Sequence, residues 1–89
     1  MELGKLGVWS WIDSLPGAAA GAFAKRVEDW GYGALWIPEA VGRDPFTAGA
    51  HLAEHTDRLV IATGIANIYA RDPMTMRAGR DTLAEFSGG

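Results

Sequence analysis

The stretch LVIATGIANIYARDPMTM, Leu59 to Met76, decides how this chain is read. It opens as a short, largely β-branched apolar run, Leu59-Val60-Ile61-Ala62, of the kind that forms a buried strand. Gly64 breaks that pattern. The loop Ala66-Asn67-Ile68-Tyr69-Ala70-Arg71 follows, and Asp72-Pro73 then supplies a cap and a first-turn proline for a helix. Strand, glycine, polar loop and helix start, in that order, make a βα corner. Parallel α/β proteins hold their ligands at such corners.

Working outward, the same device recurs twice upstream. Lys5-Leu6-Gly7-Val8-Trp9 reads as a first strand, followed by Ser10-Trp11-Ile12. Asp13 or Ser14 is expected to cap the next helix, with Pro16 in its first turn. Phe23, Val27 and Trp30 fall at i, i+4, i+7 and define its inner stripe, which leaves Lys25, Arg26, Glu28 and Asp29 to face water. Gly17 and Gly21 weaken the start of this helix, and Gly31 and Gly33 stop it. Ala34-Leu35-Trp36-Ile37 is a second strand without polar alternation, as a sheet buried on both faces requires. Asp44-Pro45 opens a second helix with Phe46, Ala50 and Ala53 on one face, ending near His55-Thr56-Asp57. The third helix, from Asp72-Pro73, carries Met76, Gly79, Leu83 and Phe86 on one side. Strand starts near positions 5, 34 and 59 give βα units of about 25 to 30 residues, the size of a crossover unit. Right-handed crossovers then generate a three-stranded parallel sheet. Periodicity leaves open whether that sheet closes into a barrel.

Composition narrows the function classes. At 89 residues the chain is one small domain, and 48% hydrophobic content argues against disorder. There is no cysteine, so disulfides and thiolate metal sites are excluded. A net charge of −3 provides no electrostatic footprint for nucleic acid or an anionic membrane. The N-terminus lacks the basic start and apolar run of a signal peptide, and no apolar stretch approaches a membrane span. The expected location is the cytoplasm.

Chemistry in βα architectures sits at the C-terminal strand ends, which here are Trp9-Ser10-Trp11, Pro38-Glu39 and Thr63 through Asn67. Trp9 and Trp11 either line a substrate or are plain rim aromatics. Glu39, directly after an apolar strand, stands at a cavity mouth where a carboxylate can hydrogen-bond a ring or substrate; the competing reading is a solvated loop acid. Gly64 permits a bulge or a positive φ where a planar ligand approaches the backbone, against the alternative of an ordinary tight turn. Asn67 offers donor and acceptor groups, or else ties off its own loop. Arg71, before a helix N-terminus, is suited to an anion, although the surface reading is preferred. His51-Leu52-Ala53-Glu54-His55 spells a zinc-binding H-x-x-E-H pattern, but no third ligand stands at a plausible spacing, so solvated histidines and no metal are expected. Gly31-Tyr32-Gly33 precedes a strand and has Trp36 where the third glycine belongs, so it fails as a dinucleotide fingerprint.

The run Thr63-Gly64-Ile65-Ala66-Asn67-Ile68-Tyr69-Ala70-Arg71-Asp72-Pro73 resembles the third βα corner of the luciferase-like oxidoreductases, TIM-barrel enzymes that use FMN or the deazaflavin coenzyme F-420. The resemblance spans essentially the whole chain and about the first third of such a barrel. It implies a (βα)3 N-terminal portion of a (β/α)8 barrel, residues 1–89 forming a single partial domain, because a complete barrel needs about 200 residues or more. It further implies that Thr63, Gly64, Ile65 and Asn67 contact the cofactor, with Gly64-Ile65 supporting the ring through a non-prolyl cis peptide. On the same resemblance Glu39 is expected at the acidic position beside the ring as the candidate catalytic group, and Trp9 and Trp11 are expected to line the side of a small-molecule substrate. Many relatives follow that acid with histidine, whereas this chain reads Glu39-Ala40-Val41 and lacks the usual acid–base partner. The wording of the corner favours F-420, with FMN as the alternative. Phosphate-gripping loops follow strands 7 and 8 in this fold, so the chain alone is expected to bind cofactor weakly or not at all and not to turn over. Expected partners are the remainder of the barrel or further copies of the chain, because three parallel strands leave two open edges.

Overall fold

The computed structural model describes residues 2–89. Its elements are β1 (Gly7–Trp9), α1 (Gly17–Asp29), β2 (Ala34–Ile37), α2 (Pro45–Ala53), β3 (Val60–Thr63) and α3 (Pro73–Phe86). The sheet runs β1-β2-β3 with both pairings parallel, so three consecutive βα units stand side by side. The register sets Gly7, Ala34 and Val60 on one level and Trp9, Trp36 and Ala62 on a higher one. Paired residues in a parallel sheet share a face, and alternate residues change face. Leu35 and Ile37 therefore point with Val8 and Ile61 toward the helices, where they join Ile12, Ala20, Ala24, Val27, Leu52 and Leu59 in the core. The opposite face, with Trp9 and Trp36, carries no helix. Burial on both faces, expected for the second strand, is approached in β2, whereas the edge strand β3, expected as a buried strand, is half-buried along its length.

Helices α2 and α3 begin as their sequences dictate. Asp44 accepts from the Thr47 N–H at 2.8 Å and Asp72 from the Thr75 N–H at 2.8 Å, each with proline at the first helical positions. Helix α1 departs from expectation. Its N-cap is Pro16, without a side-chain cap, while Asp13 and Ser14 belong to a preceding turn closed by Leu15 N–H to the Ile12 carbonyl. Its buried stripe is Ala20, Ala24 and Val27, three residues out of step with the expected one, and Trp30 stands exposed beyond the helix end. Small side chains allow α1 to sit close, and the bulkier Phe23 is left half-buried at the margin.

Helix α2 stops at Ala53, and its fully buried positions are Pro45, Gly49 and Leu52, with Phe46, Ala50 and Ala53 half-buried beside them. Helix α3 buries no residue completely. It leans on α2 through two glycines: a Cβ at Gly79 would lie 3.2 Å from the Phe46 ring, and one at Gly49 would lie 3.0 Å from Leu83. Phe86, expected on this seam, is exposed.

The largest departure is Glu28. Expected to face water, it is 0% exposed. Its carboxylate accepts the backbone N–H groups of Asp57 (2.9 Å), Arg58 (2.7 Å) and Leu59 (2.8 Å), and Lys25 adds an ammonium contact at 3.2 Å. One buried anion thus caps the turn that feeds β3. Burial is the largest single influence and pushes this carboxyl up, but the Arg58, Leu59 and Asp57 N–H groups and the Lys25 contact together hold it at about 2, against an ordinary 4.5. A carboxyl depressed on folding contributes stability that is present above its unfolded value and is lost as pH falls toward its folded one. Glu28→Gln is expected to lower unfolding free energy at neutral pH by about 2–3 kcal/mol. It should also remove the part of the acid destabilisation that Glu28 contributes between pH 4.5 and 2. Urea unfolding followed by circular dichroism across pH checks both.

Candidate functional site

Parallel register brings the three strand exits to one rim, and the hydrogen-bond ladder continues just beyond the strands. Ser10 N–H donates to the Trp36 carbonyl at 3.1 Å, Gly64 N–H to Ile37 at 2.8 Å, and Glu39 N–H to Ile65 at 3.0 Å. The Trp9 indole N–H reaches across the rim from β1 and donates to the Gly64 carbonyl at 2.7 Å. The Gly64-Ile65 peptide is cis. Gly64 is not among the glycines with positive φ, so its requirement is space: a Cβ there would lie 3.2 Å from Trp9 Cδ1 and 3.6 Å from Trp36 Cβ. Bare backbone lets the indole close on the carbonyl. The Ile65 side chain projects outward, 76% exposed, and Trp9 keeps 58% of its surface exposed despite the bond. Trp11, in the loop after β1, is also exposed. Trp9 stands on the helix-free face of the sheet with Trp36, and Ile65 and Trp11 are exposed in the loops just past the strand exits.

Glu39 is not a solvated loop acid. Its side chain is 11% exposed and that of Arg71 is 12% exposed. Glu39 Oε1 accepts the Asn67 backbone N–H at 2.6 Å and Arg71 Nη1 at 3.0 Å, while Oε2 takes Arg71 Nη2 in the second arm of a fork. Arg71 Nη2 also contacts Asp44 Oδ1 at 3.2 Å, and the guanidinium lies over the Phe46 ring, 5.3 Å from its centroid. The surface reading of Arg71 is therefore overturned: it sits at the centre of a three-residue cluster joining β2, α2 and the loop before α3. The Arg71 fork holds the Glu39 carboxyl below its ordinary range, opposed by burial and aided by the Asn67 N–H. Asp44 is also held low: burial, the largest influence, pushes it up, and its Thr47 bonds and the Arg71 charge outweigh that.

The remaining candidates divide. Asn67 is exposed, and its Oδ1 accepts the Tyr69 N–H at 2.8 Å, which closes a turn and leaves the side-chain NH2 as the group able to meet a ligand. Thr63 does not join the others: it pairs with Ile37, on the helix-facing side, and lines a groove of about 480 Å³ with Phe46, Ile68, Arg71, Pro73 and Met76. The two histidines tie α2 to α1. His51 Nε2 donates to the Gly17 carbonyl at 2.7 Å and His55 Nδ1 to the His51 carbonyl at 2.9 Å, their rings 4.7 Å apart. A Cβ at Gly21 would sit 2.7 Å from three atoms of the His55 ring, so that glycine gives the ring its place. Among the described residues, no cluster of three or more His, Cys, Asp and Glu side chains is assembled for a metal.

Arg43 escaped sequence reading. It donates through Nη1 to the Ile12 carbonyl at 3.0 Å and through Nη2 to that of Leu15, tying the β2–α2 loop to the β1–α1 loop. Asp13 lies against Gly42 in the same seam, its Oδ2 buried without a partner. The only local signal was a cation among loop residues, Gly42-Arg43-Asp44.

The site is thus a rim of three βα loops on a parallel sheet, bearing outward apolar surface and a backbone corner fixed from two sides. This architecture is that of the N-terminal βα units of a TIM barrel with its ligand side at the strand exits. A family model described as luciferase-like monooxygenase matches residues 7–89, and the chain belongs to that family. The family is of the flavin or F-420 oxidoreductase type. Among the described residues, no helix is long and apolar enough to cross a membrane.

Trp9→Phe tests the clasp. Removing one indole N–H from a partly exposed bond is expected to lower unfolding free energy by about 1 kcal/mol. The amide resonances of Gly64 and Ile65 should shift, and those of Arg58 and Leu59 should stay in place.

Proposed function

We propose that this chain supplies the ring-binding wall of a luciferase-like oxidoreductase site, with coenzyme F-420 as cofactor and FMN as the alternative, acting on a small-molecule substrate. The observation carrying this reading is the Gly64-Ile65 corner, whose two carbonyls are held by Trp9 and by the Glu39 backbone while the Ile65 side chain is left exposed. A flat, largely apolar ring fits such a surface, which has nothing to rearrange when the ring arrives. The bound deazaflavin or flavin supplies the two-electron chemistry. The chain's own residues position it. Ile65 backs the ring, the Asn67 NH2 donates to an acceptor on its edge, and Trp9 and Trp11 exclude water from the substrate side. Glu39, with both oxygens engaged and its carboxyl held ionised, keeps the loop in place and donates no proton in this arrangement.

Amide chemical-shift mapping tests the reading even when binding is weak. Titration with F-420 to millimolar concentration should move Trp9, Trp11, Gly64, Ile65 and Asn67, with smaller shifts from FMN. Shifts gathered on the helix-bearing face, or none at all, would contradict it; larger shifts from FMN would select the alternative cofactor.

A second reading, association with further βα units, is favoured by surface area. The chain exposes 5791 Å², whereas a compact monomer of 9.5 kDa exposes about 5,000 Å². The excess approaches the roughly 800 Å² that each partner buries in a standard interface. It accompanies a helix-free sheet face and unpaired outer edges on β1 and β3. Sedimentation equilibrium at micromolar concentration should show species heavier than 9.5 kDa; a clean monomer removes this reading.

A further inference from the structure

We infer that Arg71 is a positioning residue for the β3–α3 loop: its fork on Glu39, anchored by Asp44, holds the Asn67 backbone and side chain in place before any cofactor arrives. The inference rests on the proposed ring-binding reading for its purpose, but its physical content is independent of it.

Three observations converge on Arg71. First, the guanidinium is shared between acids from different places, Glu39 at the exit of β2 and the α2 cap Asp44, so its position is determined from two directions. Second, Glu39 spends the same Oε1 on Arg71 Nη1 and on the Asn67 N–H, which makes the loop's amide and the guanidinium partners of one atom. Third, Arg71 Nη1 approaches the Asn67 carbonyl at 3.5 Å, and the Ala70 N–H donates to that same carbonyl at 3.3 Å. Asn67 is therefore gripped at its N–H by Glu39, at its carbonyl by Arg71 and Ala70, and at Oδ1 by the Tyr69 N–H. Without Arg71, the Glu39 and Asp44 carboxylates, of like charge, lose the cation they share, and Glu39 loses the partner that keeps it turned toward Asn67. Lysine cannot replace the fork, because a single ammonium cannot present parallel N–H groups to Glu39 while also reaching Asp44.

The experiment compares hydrogen exchange at individual amides in the native chain, Arg71→Met and Arg71→Lys, in the absence of cofactor. Methionine keeps length and apolar contact with Phe46 but removes the charge. The Asn67 amide should exchange at least tenfold faster in Arg71→Met and severalfold faster in Arg71→Lys. The Arg58 and Leu59 amides, held by Glu28 at the other end of β3, should keep their rates within a factor of two. In addition, the Glu39 carboxyl carbon, followed by NMR, should titrate at higher pH in Arg71→Met than in the native chain. An unchanged Asn67 rate, or equal acceleration at Asn67, Arg58 and Leu59, overturns the inference, since the latter reports general loosening. If Arg71→Met does not fold, Arg71→Lys decides, and a native Asn67 rate in that variant overturns the proposal. F-420 shift mapping on the same samples separates the two claims: faster Asn67 exchange in Arg71→Met, together with no cofactor shifts in the native chain, upholds the positioning role of Arg71 and removes the ring site.

Discussion

Strand β3 lies at an edge of its sheet, half-buried and flanked by a helix that buries no residue completely, and it is kept in place by carboxylates at both ends. Glu28, from the last turn of α1, takes the N–H groups of Asp57, Arg58 and Leu59 where the chain enters the strand. Glu39, just past β2, takes the Asn67 N–H where the chain has left it, and its own N–H meets the Ile65 carbonyl. A buried anion is costly without donors and rigidly held with them. Glu28 is met by three backbone N–H groups and the Lys25 ammonium, Glu39 by the Asn67 N–H and the Arg71 fork, so each converts burial into a fixed position for the segment it grips. The corner after β3 inherits its geometry from this pair.

That constraint explains the division of labour along the rim. Backbone carbonyls at Gly64 and Ile65 are spent on Trp9 and Glu39, and the Oδ1 of Asn67 is spent on Tyr69. What remains outward is mostly apolar: Ile65, the indole faces and an amide NH2. On the proposed reading this surface receives a flat ring with an acceptor on its edge. Membership in the luciferase-like monooxygenase family agrees with that chemistry without selecting between deazaflavin and flavin.

The features legible from sequence are those whose causes are local. Asp44-Pro45 and Asp72-Pro73 cap their helices through atoms three residues away, and both starts stand where the sequence puts them. The three apolar runs and the glycine after the third likewise declare themselves within a few positions. Glu28, Arg43 and Arg71 are not legible locally because the partners that fix them lie 27 to 32 residues away in sequence. A helical wheel assigns a charged residue to water unless something distant neutralises it, and nothing near Glu28 in the chain announces the turn at Asp57. The displaced stripe on α1 has a related origin: Ala20 and Ala24 look too small to define a face until the sheet's proximity makes small size the requirement. Thr63 shows the cost of a period of two, since one step along the strand moves a side chain from the helix-free face to the helix-bearing face.

The central claim is that the corner after β3 stands ready for a planar ring. Saturation-transfer NMR on F-420 in the presence of this chain reads the ligand's side of that contact directly. Transfer should be strongest to the protons of the deazaflavin ring and weak along the flexible tail, and it should fall when Ile65 is replaced by Asp. Transfer centred on the tail, or transfer to the ring that Ile65→Asp leaves intact, would contradict the account.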